Sequence, residues 1–146
     1  MPAERAGSLV VAEPGSHYLT RPPLVVDCSA VAAVLFDEPN KDAALQAMQG
    51  KQLFAPELLD HEFVSVALKK ATLLPESFVA QSIEYFLQLR LTRCTPDMQA
   101  QWRLARAHQL TAYDAAYLQL AVELNAPLAT LDRRLGEVAV RVLATR

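Results

Sequence analysis

Glycine is scarce in this chain of 146 residues, only four in all, and neither GxxxxGK[ST] nor GxGxxG occurs. A backbone cradle for the phosphates of a nucleotide is therefore excluded. The two cysteines, Cys28 and Cys94, lie far apart with no CxxC spacing and no Cys/His ligand pattern, which argues against structural zinc and against a disulfide framework. Both are expected to be reduced, buried thiols. The three histidines, His17, His61 and His108, are scattered, with no HExxH motif and no Ser/His/Asp arrangement. No apolar run approaches the roughly 20 residues that span a bilayer. Near the amino end the longest such run, Leu9 to Ala12, falls short of the about 7 to 15 residues of a signal-peptide core. A cytoplasmic protein with no membrane association is the expectation. Positive charge is not in excess either: the formal net charge is -2, so a nucleic acid would have to be met by a local basic patch.

What is present is enough apolar content, 52%, for a folded core of ordinary domain size. Residues 1–23 hold Pro2, Pro14, Pro22 and Pro23 without periodicity and read as a loose leader, with a candidate edge strand at Leu9 to Ala12. Residues 24–146 read as a single domain. Leu24 to Val26 forms a short strand ending at Asp27; Ser29 is placed to cap a helix over Ala30 to Phe36, and Asn40 and Gly50 bracket another over Lys41 to Gln49. Gln52 to Ala55 reads as a second strand, followed by helices to about Ala71 and from Pro75 to about Leu89. Leu91 to Cys94 is a third strand, and Thr95 and Pro96 supply N-cap and first-turn residues for a helix over Asp97 to Gln109. A further helix begins at Thr111, Pro127 to Leu131 makes a buried strand, and Val138 to Leu143 is expected to be the last strand. Strands alternating with helices predict an α/β sandwich around a mostly parallel sheet of about five strands.

Asp27 and Asp132 each follow a short apolar strand, which is where an open parallel sheet binds ligands. Each also has an ordinary structural use, Asp27 as a helix cap and Asp132 in a turn with Arg133. Asp114 completes a capping box with Thr111 but lies on the apolar face of its helix, near the positive end of the dipole. Glu62 is less clear. Its helix is apolar around much of its circumference and also carries Glu57, Asp60 and His61; periodicity does not choose among them, and a solvated face for Glu62 is the favoured reading. If Asp27, Glu62, Asp114 and Asp132 converge, their repulsion calls for a cation, and oxygen-only ligation points to Mg²⁺ or Mn²⁺ and to hydrolysis at phosphorus. Phosphatases with a nucleophilic aspartate are disfavoured, because Asp27-Cys28-Ser29 lacks the second acid of a DxD motif.

In Val25-Val26-Asp27-Cys28-Ser29-Ala30, in Glu62 within Leu59-Asp60-His61-Glu62-Phe63-Val64-Ser65, in Leu110-Thr111-Ala112-Tyr113-Asp114-Ala115-Ala116-Tyr117 and in Leu128-Ala129-Thr130-Leu131-Asp132-Arg133-Arg134-Leu135, the chain resembles the PIN-domain ribonucleases, and within them the VapC-type toxins of toxin-antitoxin pairs. The resemblance implies a PIN-like three-layer sandwich and a metal-dependent endoribonuclease with Asp27, Glu62, Asp114 and Asp132 as its acidic metal site. It implies Ser29 and Thr130 as supporting hydroxyls, and as partners an RNA substrate, a cognate antitoxin and a second copy of the chain. Cys28 and Ser65 depart from the pattern, standing where the family often has threonine or alanine and asparagine. The alternative is a non-catalytic PIN-like module that binds RNA or protein through the same groove. Arg133 and Arg134, directly after Asp132, are the candidate phosphate contacts. Trp102, Tyr113 and Tyr117 are read first as core and second as surfaces on which bases stack.

Overall fold

The computed structural model describes residues 21–145. The leader expected over residues 1–23 thus lies, for its first 20 positions, outside the described residues, as do His17 and the edge strand expected at Leu9 to Ala12. Four strands and seven helices follow in the order β1 (Pro23–Val26), α1 (Cys28–Leu35), α2 (Lys41–Met48), β2 (Gln52–Pro56), α3 (Leu58–Lys70), α4 (Glu76–Gln88), β3 (Leu91–Cys94), α5 (Met98–His108), α6 (Ala112–Leu124), β4 (Leu128–Ala129) and α7 (Arg133–Ala144).

The four strands form one parallel sheet in the order β3-β2-β1-β4. β1 is central: Val25 pairs with Phe54 on one side and with Leu128 on the other. Leu24, Val25 and Val26 are all buried, as a strand must be when helices cover both faces of its sheet. α6 crosses β1, β2 and β4 and carries α5 and α7 on its flanks. α1, α3 and α4 pack on one another. They are joined by a ring stack in which Phe63 lies 5.4 Å from Phe36 and 4.2 Å from Phe86, centroid to centroid. The buried Ser82 hydroxyl on α4 donates to the Leu35 carbonyl at the end of α1, satisfying one of the acceptors that a helix terminus leaves open.

The fifth strand expected at Val138 to Leu143 is instead part of α7, so the sheet has four strands. Leu135, Val138, Ala139 and Val142 face inward at helical spacing while Val140 is exposed, and Asp132 caps the helix through a bond from Leu135 N to Oδ1 of 2.8 Å. Two other capping assignments also change. Asp27, not Ser29, caps α1, and Asp97, not Thr95, caps α5, each accepting from the amide three residues on.

With glycine so rare, three helices end on other residues in the left-handed region: Asp37 (φ 54°), Gln109 (φ 54°) and Asn125 (φ 49°). Each is followed by an amide that reaches back five residues, Glu38 N to Ala33 O, Leu110 N to Ala105 O and Ala126 N to Ala121 O, at 2.9–3.0 Å. Asparagine and aspartate tolerate this conformation; glutamine is strained in it. Gln109→Gly keeps the backbone carbonyl and relieves the strain, and should raise the unfolding free energy by about 1 kcal/mol. A urea midpoint that stays put or falls would show that the Gln109 side chain compensates for its backbone.

Candidate active site

The site begins where β1 ends. Asp27 leaves the strand at the amino end of α1 and is only 5% exposed, yet both its carboxylate oxygens accept hydrogen bonds. Oδ1 accepts from the Ser29 hydroxyl at 2.6 Å and from Ala30 N at 3.0 Å, and Oδ2 accepts from the Thr130 hydroxyl. Thr130 follows β4, so this contact joins the carboxyl ends of two neighbouring strands. Leu131 N donates to the Ser29 hydroxyl at 2.8 Å and Asp132 N to the Thr130 hydroxyl at 3.0 Å. The segment from β4 into α7 is thereby bonded onto the start of α1. Ser29 and Thr130, expected as supporting hydroxyls, both hold Asp27.

Asp132 caps α7 beside this network. Asp114 comes from α6, whose cap Thr111 accepts a bond of 3.1 Å from Asp114 N, the contact that the capping-box spacing predicts. The amino ends of α1, α6 and α7 thus meet at the carboxyl edge of the sheet, and their dipoles favour negative charge there.

Glu62 arrives from the middle of α3. The favoured reading of its helix put Glu62 on a solvated face; the structure makes it half-buried, with Oε1 enclosed and without a hydrogen-bond partner. Asp60 and Glu57, which periodicity could not separate from it, turn toward β3 instead: Arg93 Nε donates to both Asp60 oxygens at 2.8 and 2.9 Å, and the Thr95 hydroxyl to Glu57. Tyr117 is a residue whose place near the acids was missed. It is 2% exposed, which excludes base stacking, and its hydroxyl is also unpartnered. It lies near enough to Glu62 for each to influence the ionisation of the other, though no bond of good geometry joins them. Its spacing from Asp114, three residues on along α6, was the available signal.

Burial lifts Asp27 above the ordinary carboxylate range; the hydrogen bonds from Ser29, Thr130 and Ala30 oppose the rise, and the charge of Asp132 adds to it. Burial likewise raises Glu62, with the Tyr117 hydroxyl opposing and the charges of Asp27 and Asp114 reinforcing. Asp114 is raised by burial and by Asp132, against the Thr111 hydroxyl and the Arg134 guanidinium. The four acids therefore share one electrostatic environment. Cys28, beneath them, has its thiol pushed up to about 12 by burial and by the charges of Glu62, Asp27 and Glu38. Arg134 donates to the Gln109 carbonyl at 2.8 Å and stays at the rim next to Asp114. Arg133 is exposed and pairs with Glu137 at 3.3 Å.

An all-oxygen set that repels itself, with a buried Glu62 oxygen left unpartnered, suits a hard divalent cation. As the side chains stand, no three His, Cys, Asp or Glu among the described residues close around one ion position.

A family model for the PIN domain matches residues 24–141, and the chain belongs to the PIN-domain family. Its relatives there are VapC ribonucleases. Ribonuclease VapC3 of Pyrobaculum aerophilum is 34% identical over 121 residues, spanning 78% of this chain and 92% of the relative. Ribonuclease VapC1 of Mycobacterium tuberculosis is 33% identical over 119 residues, spanning 77% and 87%. The crystal structure of PAE2754 from Pyrobaculum aerophilum superposes with a TM-score of 0.63 at 24% identity, covering 86% of this chain and 92% of that one, and shares the fold.

The raised acids have a consequence for stability. A carboxyl whose folded pKa exceeds its unfolded one destabilises the fold above the folded value, and the penalty vanishes as pH falls to the unfolded value, about 4.3 for glutamate. Without divalent cations, Glu62→Gln should therefore be more stable than the wild type at pH 7. The advantage should shrink as pH is lowered through that window in paired denaturation curves. A difference independent of pH would mean that charge is not its cause.

Proposed function

We propose that this chain, a ribonuclease of the VapC type, hydrolyses RNA phosphodiester bonds at the acidic cluster of Asp27, Glu62, Asp114 and Asp132, with Mg²⁺ or Mn²⁺ as cofactor. The observation that supports the reading is that carboxylates from four separate segments act on one another electrostatically, three of them raised by burial with a neighbouring acid adding to the rise, and that a buried Glu62 oxygen has no partner. A bound divalent cation supplies there an ionised water and stabilisation of charge on phosphate oxygens. The chain's own residues do the positioning. Ser29, Thr130 and Ala30 N hold Asp27 in one orientation, so its donor direction is set before anything binds. Asp132 accepts one bond, from Leu135 N at the start of α7, and the backbone of Asp114 is fixed by the Thr111 cap of α6. RNA approaching a negative cluster needs positive charge at the rim; Arg134 provides it beside Asp114, and Arg133, one residue before it, extends it into solvent.

The same reading assigns two protein partners, a cognate antitoxin that restrains the activity and a second copy of the chain in a homodimer. Exposed apolar side chains suited to protein contacts are available at Val64 and Leu68 on α3 and Tyr85 and Leu87 on α4. The protein then works in the cytoplasm, where RNA and an antitoxin are made. Among the described residues no helix is long and apolar enough to cross a membrane.

Purified protein should cleave single-stranded RNA with Mg²⁺ or Mn²⁺ and stop in EDTA, and Asp27→Asn and Asp114→Asn should each lower the rate on the order of 100-fold or more. Cleavage that is insensitive to EDTA, or equal in wild type and variants, would rule the assignment out. Thr130→Val, which removes the bonds to Asp27 and Asp132 N while keeping the shape, should cost roughly 10- to 100-fold in rate or metal affinity. Calorimetry of Mn²⁺ binding apportions that loss. An unchanged rate together with unchanged affinity would remove Thr130 from the positioning set.

A further inference from the structure

Two large aromatic side chains stand in solvent on α5 and α6, one of them next to Asp114 in the chain. Trp102 on α5 is 58% exposed and Tyr113, the residue before Asp114 on α6, is 64% exposed. Neither serves the core, and α5 as a whole contains no buried residue. The two helices are tied together at this point: Gln101, next to Trp102, donates through its side chain to the Ala112 carbonyl, next to Tyr113, at 2.7 Å. A groove of about 190 Å³ runs along the join, lined by Met98, Gln101, Trp102, Ala105 and Ala112.

Arginine side chains stand close to the Trp102 ring and at the end of α5. Although the net charge is -2, Arg103 and Arg106 are exposed on α5, and the Arg106 guanidinium sits 5.0 Å from the centroid of the Trp102 ring. Arg134 is bonded to the Gln109 carbonyl just past the end of the same helix and borders Asp114. Flat π-faces, one of them on the residue before Asp114, interleaved with guanidinium groups match a strand whose bases are free to stack while its phosphates meet cations.

We infer that Trp102 and Tyr113 form a stacking platform for unpaired bases of the RNA strand flanking the scissile phosphate. The inference rests on the ribonuclease reading above and adds to it the residues that meet the bases. Bases of a duplex are already paired and stacked, and their faces cannot reach these rings.

Trp102 is the chain's only tryptophan, so its emission reports the platform directly. In EDTA, to suppress cleavage, a short single-stranded oligoribonucleotide should quench that emission in step with the anisotropy of a dye-labelled copy, and the matching duplex should not. Trp102→Ala and Tyr113→Ala should each weaken single-strand binding roughly 5- to 100-fold, raising KM far more than they lower kcat, whereas Trp102→Phe and Tyr113→Phe should retain most of the affinity. Emission unchanged while anisotropy reports bound RNA, no RNA bound at all, or full affinity in both alanine variants would each overturn the inference. So would alanine variants that change only self-association in sedimentation, because the face would then belong to a protein contact. Metal-dependent cleavage, assayed in parallel, separates the two readings. Intact cleavage with silent tryptophan removes the platform alone, and quenching without cleavage removes the catalytic reading alone.

Discussion

The carboxylate of Asp27 is the point on which the rest of the arrangement turns. It caps α1, it accepts from Ser29 within that helix's first turn, and through Thr130 it fastens the end of β4 to the end of β1. A charge-bearing group this deeply buried is tolerated only where hydrogen bonds replace the lost water. Here three donors do so, two of them side-chain hydroxyls that are themselves fixed by backbone amides of the α7 lead-in. Remove the carboxylate and the two strands lose their common partner.

Around that anchor the fold sets opposing effects against each other. The parallel sheet delivers its strand ends to one edge, and the helices that follow β1 and β4, together with α6, start there and bring their positive dipole ends with them. Burial and mutual repulsion act in the other direction and prevail for Asp27, Glu62 and Asp114, whose pKa values all rise. The acidic cluster is thus held by scaffold geometry against its own electrostatics, the condition that marks it as a candidate site.

How much of this could be read from the chain alone depended on how local each feature is. The capping box at Thr111 and Asp114, β1 with its terminal aspartate, and the alternation of strands and helices all depend on neighbours a few residues apart. Val138, Val140 and Val142 alternate like a strand, so the local pattern points to a strand where α7 forms. Only the wider stripe from Leu135 and the cap at Asp132 show the helical period. The bond from Thr130 to Asp27 joins residues 103 apart and leaves no local trace. Glu62 was indistinct for the same reason. What separates it from Asp60 is tertiary, a place by Tyr117, Cys28 and Asp27 for the one and an ion pair with Arg93 for the other. Trp102 and Tyr113 have the spacing of core residues, and only the packing shows that they stand in solvent.

The four acids differ in what would be lost with them. Asp27 and Asp132 are also caps, so a lineage that discarded either would weaken a helix along with the proposed chemistry, and a poorly folded chain is cleared before it can persist. Glu62 caps nothing, and its buried oxygen bonds to nothing. If Glu62 carries the role proposed for it, decay of this enzyme into a folded but inert relative has its easiest route through that position. A descendant with glutamine there would be a natural decoy.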